Sequence, residues 1–179
     1  MTEPRIRLVV FDIAGTTVKD ENYVHQTLIN SMQKFGYAVS IEEANAVMGY
    51  PKPYAIRELL KIKEEDSNKI NDGFITKIHE AFVAEMIAFY KSDPNVLPIN
   101  NAEETFILLK KLNIKVALDT GFSKEITDVI INRLNWKENG LIDASISSDE
   151  VEDGRPYPYM IHTLMSMLNI RNSDAVAKV

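Results

Sequence analysis

Ile6-Arg7-Leu8-Val9-Val10-Phe11-Asp12-Ile13-Ala14-Gly15-Thr16-Thr17 sets the architecture of this 179-residue chain. Arg7 aside, Ile6 to Phe11 is a run of apolar and β-branched residues without polar alternation, the pattern of a strand covered on both faces. It stops on Asp12, and the small and hydroxylic residues that follow predict a tight polar turn. A buried strand ending on a carboxylate belongs in an open parallel sheet, where ligands bind beyond the carboxyl ends of the strands.

Downstream of this strand the pattern is helical. Asn22 to Phe35 carries Tyr23, Leu28, Met32 and Phe35 on roughly one stripe, and Gly36 closes it. Ser40, with Glu43 three residues on, reads as a capping box opening a second, short helix. Tyr50-Pro51-Lys52-Pro53 is expected to be a loop, because a residue before proline is pushed to extended dihedrals. Tyr54 to Ile62 is helical again. Ser67 is expected to start a long helix on which Ile70, Phe74, Ile78, Phe82, Met86 and Tyr90 recur every four residues, ended by Ser92-Asp93-Pro94.

Beyond Pro98 helices and strands alternate. Asn101–Leu112 reads as a helix and Ile114–Leu118 as a strand running into Asp119-Thr120-Gly121. Ser123 caps a helix to Asn135, and Asp143–Ser147 is a short strand. Gly154-Arg155-Pro156-Tyr157-Pro158 opens a helix to Leu168, and Ala175–Val179 is a last strand. The fold class is therefore α/β, a Rossmann-like parallel sheet with helices on both faces and an inserted α-helical cap. Residues 1–18 and 95–179 form the core domain and 19–94 the cap.

Composition narrows the chemistry. Apolar residues are 45% and charged residues 26%, enough for a packed core. With no cysteine there is no disulfide, thiol nucleophile or thiolate metal site. The three histidines, at 25, 79 and 162, do not form a zinc-hydrolase pattern. A net charge of −6 argues against nucleic acid and anionic membrane as partners. No apolar run is long enough to span a bilayer. Met1 to Arg7 is too polar for a signal peptide, so a cytoplasmic location is expected.

Three residues stand at or just past strand ends: Asp12, Thr120 and Arg155. Singly, each has an ordinary explanation as a cap or turn residue. Together they make a phosphoryl-transfer pattern. A carboxylate can attack phosphorus, the Thr120 hydroxyl and Gly121 amide at a helix start can cradle phosphate, and an arginine can fork onto phosphoryl oxygens.

Phe11-Asp12-Ile13-Ala14-Gly15-Thr16-Thr17 resembles the first motif of the haloacid dehalogenase superfamily, in the form found in its phosphonatase-like hydrolases. Thr120-Gly121-Phe122-Ser123 resembles the second motif and Gly154-Arg155-Pro156-Tyr157-Pro158 the third. Met48-Gly49-Tyr50-Pro51-Lys52 resembles the cap segment Met-Gly-x-x-Lys. The resemblance implies a hydrolase with Asp12 as nucleophile and Lys52 as a second catalytic residue. It implies phosphate binding at Thr120, Gly121 and Arg155, substrate contact at Met48 and Gly49, and magnesium held by the Asp12 carboxylate and the Ala14 carbonyl oxygen. The implied substrate is a small phosphonate or phosphate bearing an aldehyde or another small polar group.

Ala14 bears on the reaction. Phosphatases of the superfamily carry a second aspartate there, which protonates a leaving alkoxide. Alanine has no proton to give. Breaking a carbon–phosphorus bond instead needs an electron sink on the leaving carbon, which an imine to Lys52 supplies. At an ordinary pKa only about one lysine in 2,500 is neutral at pH 7.

Three features depart from the family pattern. Ala55 stands where the cap histidine is expected, three residues past the lysine. Two prolines flank Lys52, whose plain reading is a solvated loop lysine. The Ala175–Val179 strand would run into a fourth motif, Gly-Asp-x-x-x-Asp, so a chain truncated before it, with an incomplete magnesium site, is expected. Rival readings are a small-molecule phosphatase or phosphomutase, a 2-haloacid dehalogenase, and an inactive fragment. Asp119 reads as a turn residue at a strand end, with an approach to the metal as the alternative. The acidic residues from Asp149 to Asp153 read as a solvated face. His25 reads as a surface or hinge residue, with the active site as the alternative, and His79 and His162 as structural. The Phe74, Phe82 and Tyr90 stripe reads as cap core, with a homodimer interface as the alternative.

Overall fold

The computed structural model describes residues 5–179; the polar start Met1–Pro4, part of the signal-peptide argument, lies outside the described residues. Four strands form one parallel sheet: β1 (Leu8–Phe11), β2 (Lys115–Thr120), β3 (Ala144–Ser147) and β4 (Val176–Lys178), in the order β3-β2-β1-β4. The central strand β1 is buried along its whole length, as its unbroken apolar run requires. Val9, Phe11, Val116 and Leu118 face one layer with Phe106, Ile126 and Ile130. Leu8, Val10, Ala117 and Ile146 face the other with Met160 and Leu164. Those partners belong to α5 (Ala102–Lys111), α6 (Lys124–Arg133) and α7 (Tyr159–Met167), so α5 and α6 cover one face and α7 the other.

Four helices lie between β1 and α5: α1 (Tyr23–Lys34), α2 (Ile41–Ala46), α3 (Lys52–Lys63) and α4 (Asp72–Ser92). The chain leaves and re-enters the sheet side by side, with Val18 bridging Pro98 and the Lys19 N–H donating to Leu97 O at 3.0 Å. The expected capping box at α2 is present, with Glu43 N–H donating to Ser40 Oγ and Ser40 N–H to Glu43 Oε2. The helix α4 buries Ile78, Phe82, Met86 and Tyr90 of the stripe read from the sequence, while Phe74 is half-buried and Ile70 precedes the helix. Arg133 of α6 caps its C-terminal end, donating to Tyr90 O at 3.1 Å and Asp93 O at 2.6 Å. A cation at that end also complements the helix dipole. Among the described residues no helix is long and apolar enough to cross a membrane.

The structure corrects several local expectations. Tyr50–Pro53 is not all loop, because Lys52 is the first residue of α3 and Pro53 the second. Proline fits a first helical turn, where its missing N–H would have no partner. The long helix starts after Asn71, whose side chain accepts from Phe74 N–H at 3.0 Å, and Ser67–Lys69 forms a separate single turn capped by Asp66. Asp119 lies inside β2 rather than in a turn. Ser123 occupies the cap position of α6 but makes no side-chain capping bond, and its buried Oγ has no partner among the described residues. Asp149 and Glu150 are not merely solvated: Asp149 accepts from Lys124 N–H, and Glu150 closes a box with Ser147.

Candidate active site

A cavity of about 280 Å³ opens beyond the C-terminal ends of β1 and β2, lined by every residue predicted for the site: Asp12, Ala14, Met48, Gly49, Lys52, Thr120, Gly121 and Arg155. The core and the inserted helices contribute jointly. Asp12 and Ala14 follow β1, Thr120 ends β2 with Gly121 after it, and Arg155 comes from the loop ahead of α7.

Met48 to Lys52 arrive from the inserted segment through a close approach that two glycines permit. A Cβ on Gly121 would lie 3.0 Å from the carbonyl oxygens of both Gly49 and Tyr50, and one on Gly154 would lie 2.5 Å from Pro51 Cγ. Residues 49–51 are thus clamped between the second and third motif loops, which aims α3 at the cavity. Around Asp12 the loop is pinned by Thr17, whose hydroxyl donates to Asp12 O at 2.9 Å. The Thr120 hydroxyl accepts from Phe122 N–H at 3.2 Å, so it already organises the turn into α6.

Lys52 is only 3% exposed. Its ammonium lies 5.8 Å from the Phe82 ring centroid and 5.9 Å from that of Phe122, so aromatic faces rather than water surround it. Burial pushes its pKa down to about 8, and Arg155 pushes the same way, while Asp12 and Asp20 oppose the shift. At pH 7 about one in eleven such amines is neutral, a gain of more than 200-fold in reactive base over a solvated lysine. The solvated-loop reading of Lys52 is therefore overturned.

Arg155 ties the carboxylates together. One of its nitrogens donates to Asp12 Oδ1 at 2.7 Å, to Asp119 Oδ1 at 2.5 Å and to Asp119 O at 3.1 Å. Burial works against its charge, but Asp12 and Asp119 more than offset that and raise its pKa. Asp119 is 1% exposed and also receives Lys178 Nζ at 3.1 Å. Its burial and double pairing had no signal in the sequence, since both partners are distant in the chain.

The cavity also holds Asp20, Val24, His25 and Phe122. Asp20 accepts from Val24 N–H at 3.2 Å. His25 faces the site from α1, and its Nδ1 is buried with no partner among the described residues. His79 does not line the cavity. It stacks near Phe82, and burial, with Lys52 adding, lowers its pKa against Asp149 and Glu80. The Asp12 carboxylate and the Ala14 backbone offer hard oxygens, and no group of three or more acidic or histidine side chains able to hold a metal occurs among the described residues.

Residues 9–177 match the family of haloacid dehalogenase-like hydrolases. The chain belongs to that family. Among curated members, the phosphonoacetaldehyde hydrolase of Bacillus cereus is 29% identical over 186 residues, covering 98% of this chain and 68% of that one. The bifunctional phosphonoacetaldehyde hydrolase/aminoethylphosphonate transaminase of Clostridioides difficile (strain 630) is 29% identical over 184 residues, again covering 98% of this chain but 28% of that longer protein. The crystal structure of a phosphonoacetaldehyde hydrolase-like protein from Oleispira antarctica superposes with a TM-score of 0.82 at 20% identity, over 98% of this chain and 66% of that one, which shows the same fold. This haloacid dehalogenase-like chain thus spans about two thirds of the Bacillus cereus relative.

Proposed function

We propose that this chain carries the catalytic centre of a phosphonatase-like hydrolase that cleaves the carbon–phosphorus bond of a small phosphonate bearing an aldehyde, of the phosphonoacetaldehyde type. The observation that carries the reading is a buried Lys52, its pKa lowered to about 8, in one cavity with Asp12 and without an acid at Ala14. Residues 19–94 act as the cap and residues 1–18 and 95–179 as the core.

Lys52 adds to the aldehyde and forms an iminium with loss of water. Asp12 attacks phosphorus, and the carbon–phosphorus bonding pair moves into the iminium, leaving an enamine on Lys52 and a phosphoryl group on Asp12. Thr120, Gly121 and Arg155 hold the phosphoryl oxygens, and Arg155 must then exchange Asp12 for substrate. Met48 and Gly49 bound the substrate on the cap side. Water hydrolyses the aspartyl-phosphate, and protonation of the enamine at carbon followed by addition of water releases an aldehyde and restores Lys52. The Asp12 carboxylate and Ala14 carbonyl fit magnesium, which takes few protein oxygens beside water and phosphate. When bound it would neutralise phosphoryl charge.

The test is incubation with phosphonoacetaldehyde and borohydride, followed by mass mapping. An adduct on Lys52 is the expected outcome. Absence of any adduct, with no phosphate released, would overturn the reading.

A further inference from the structure

We infer that His25 is a catalytic residue of this site, carrying protons between the Lys52 nitrogen and the carbonyl oxygen of the substrate. This rests on the reading that Lys52 adds to a carbonyl. The imidazole lines the same cavity as Asp12 and Lys52, and its Nδ1 is buried without a hydrogen-bond partner among the described residues. A buried polar nitrogen left unpaired is unfavourable unless a bound molecule completes it. The imidazole borders the cavity in which such a molecule would sit.

The chemistry requires such a group. The Lys52 ammonium gives up one proton, the resulting amine attacks the carbonyl carbon, and the oxygen takes that proton to become a hydroxyl. Nitrogen then loses a second proton, which reaches the hydroxyl as the carbon–oxygen bond breaks, leaving water and an iminium that keeps one N–H. An imidazole that carries each of the two protons from nitrogen to oxygen ends the cycle unchanged. Asp12 and Asp119 are held by Arg155. Asp20 also lines the cavity and accepts from Val24 N–H through Oδ1 alone. Ala55, three residues past Lys52, is fully buried and has no acid–base group. His79 does not line the cavity.

The experiment isolates imine formation. In the Asp12→Asn chain, where phosphoryl transfer is blocked, the rate of borohydride-trapped Lys52 adduct with phosphonoacetaldehyde is compared with and without His25→Gln. The glutamine keeps hydrogen-bonding capacity but carries no exchangeable acid–base function. The expected result is a slowing of about 100-fold or more, with partial recovery when imidazole is added to His25→Ala. Adduct formation at an unchanged rate in His25→Gln overturns the role of His25 and leaves that of Lys52 standing. Loss of rate in both variants without any imidazole rescue also overturns it, in favour of a purely structural role. No adduct in the parent Asp12→Asn chain overturns the lysine chemistry and the role of His25 with it.

Discussion

Arg155 donates to Asp12 at 2.7 Å across 143 residues of sequence. The same nitrogen reaches Asp119, so the cation proposed to receive a phosphoryl group bridges two carboxylates. On that proposal, binding substrate is an exchange of partners at a preformed charge rather than the recruitment of a free side chain.

Removing Arg155 therefore tests stability and binding together. Arg155→Met leaves the buried Asp119 with Lys178 alone and is expected to cost about 3 kcal/mol in folding, as when a buried pair loses one member. Adding Asp119→Asn to that variant is expected to recover part of the loss. Urea unfolding of the three proteins checks both, and phosphate affinity measured by calorimetry should fall in each variant.

The Lys52 charge is a cost to the fold with a defined pH window. Its folded pKa near 8 lies below the ordinary 10.5, so the unfolded chain binds this proton more tightly. The penalty is present in full below pH 8 and is relieved as pH rises towards 10.5. Lys52→Met is expected to be more stable than the parent at pH 7 by up to about 3 kcal/mol. That advantage should shrink steadily between pH 8 and 10, as read by denaturant unfolding of both proteins at each pH. The variant is also expected to lose all borohydride-trapped adduct.

Asp12 opposes the downward shift of Lys52. Asp12→Asn should end phosphate release and, separately, lower the pH at which half of Lys52 is reactive towards borohydride trapping. A pH series of trapping on both proteins reads the difference; an unchanged midpoint would show that the two charges do not communicate.

The glycine clamp predicts steric sensitivity far from any reacting atom. Gly154→Ala places a methyl 2.5 Å from Pro51 Cγ, and Gly121→Ala places one 3.0 Å from two backbone oxygens. Each is expected to cost about 1–3 kcal/mol, typical of overpacking, and to push residues 49–51 outward. The signature is a loss of Lys52 trapping that exceeds the loss of stability seen by thermal unfolding.

Much of this was legible in the chain. The unbroken apolar run of β1, the four-residue stripe of α4 and the Ser40–Glu43 box each depend on neighbours in sequence, so local pattern carried them. The start of α4 was misplaced because Ser67 and Asn71 are both plausible cap residues, and non-helical backbone at Ile70 and Asn71 separates the two helical stretches. The plain reading of Lys52 as a solvated loop residue failed because the two prolines describe the local backbone and say nothing of Phe82 and Phe122 flanking the amine.

By itself the sequence determined the α/β alternation, the position of the inserted helices and the identity of the groups at the strand ends. Strand burial, helix capping and motif spacing are properties of contiguous residues. Only the tertiary structure decided that Lys52 is dry, that Asp119 is a buried partner of Arg155 and Lys178, and that His25 faces the cavity. Desolvation and charge pairing depend on which surfaces meet in space, and those surfaces come from segments tens to more than a hundred residues apart.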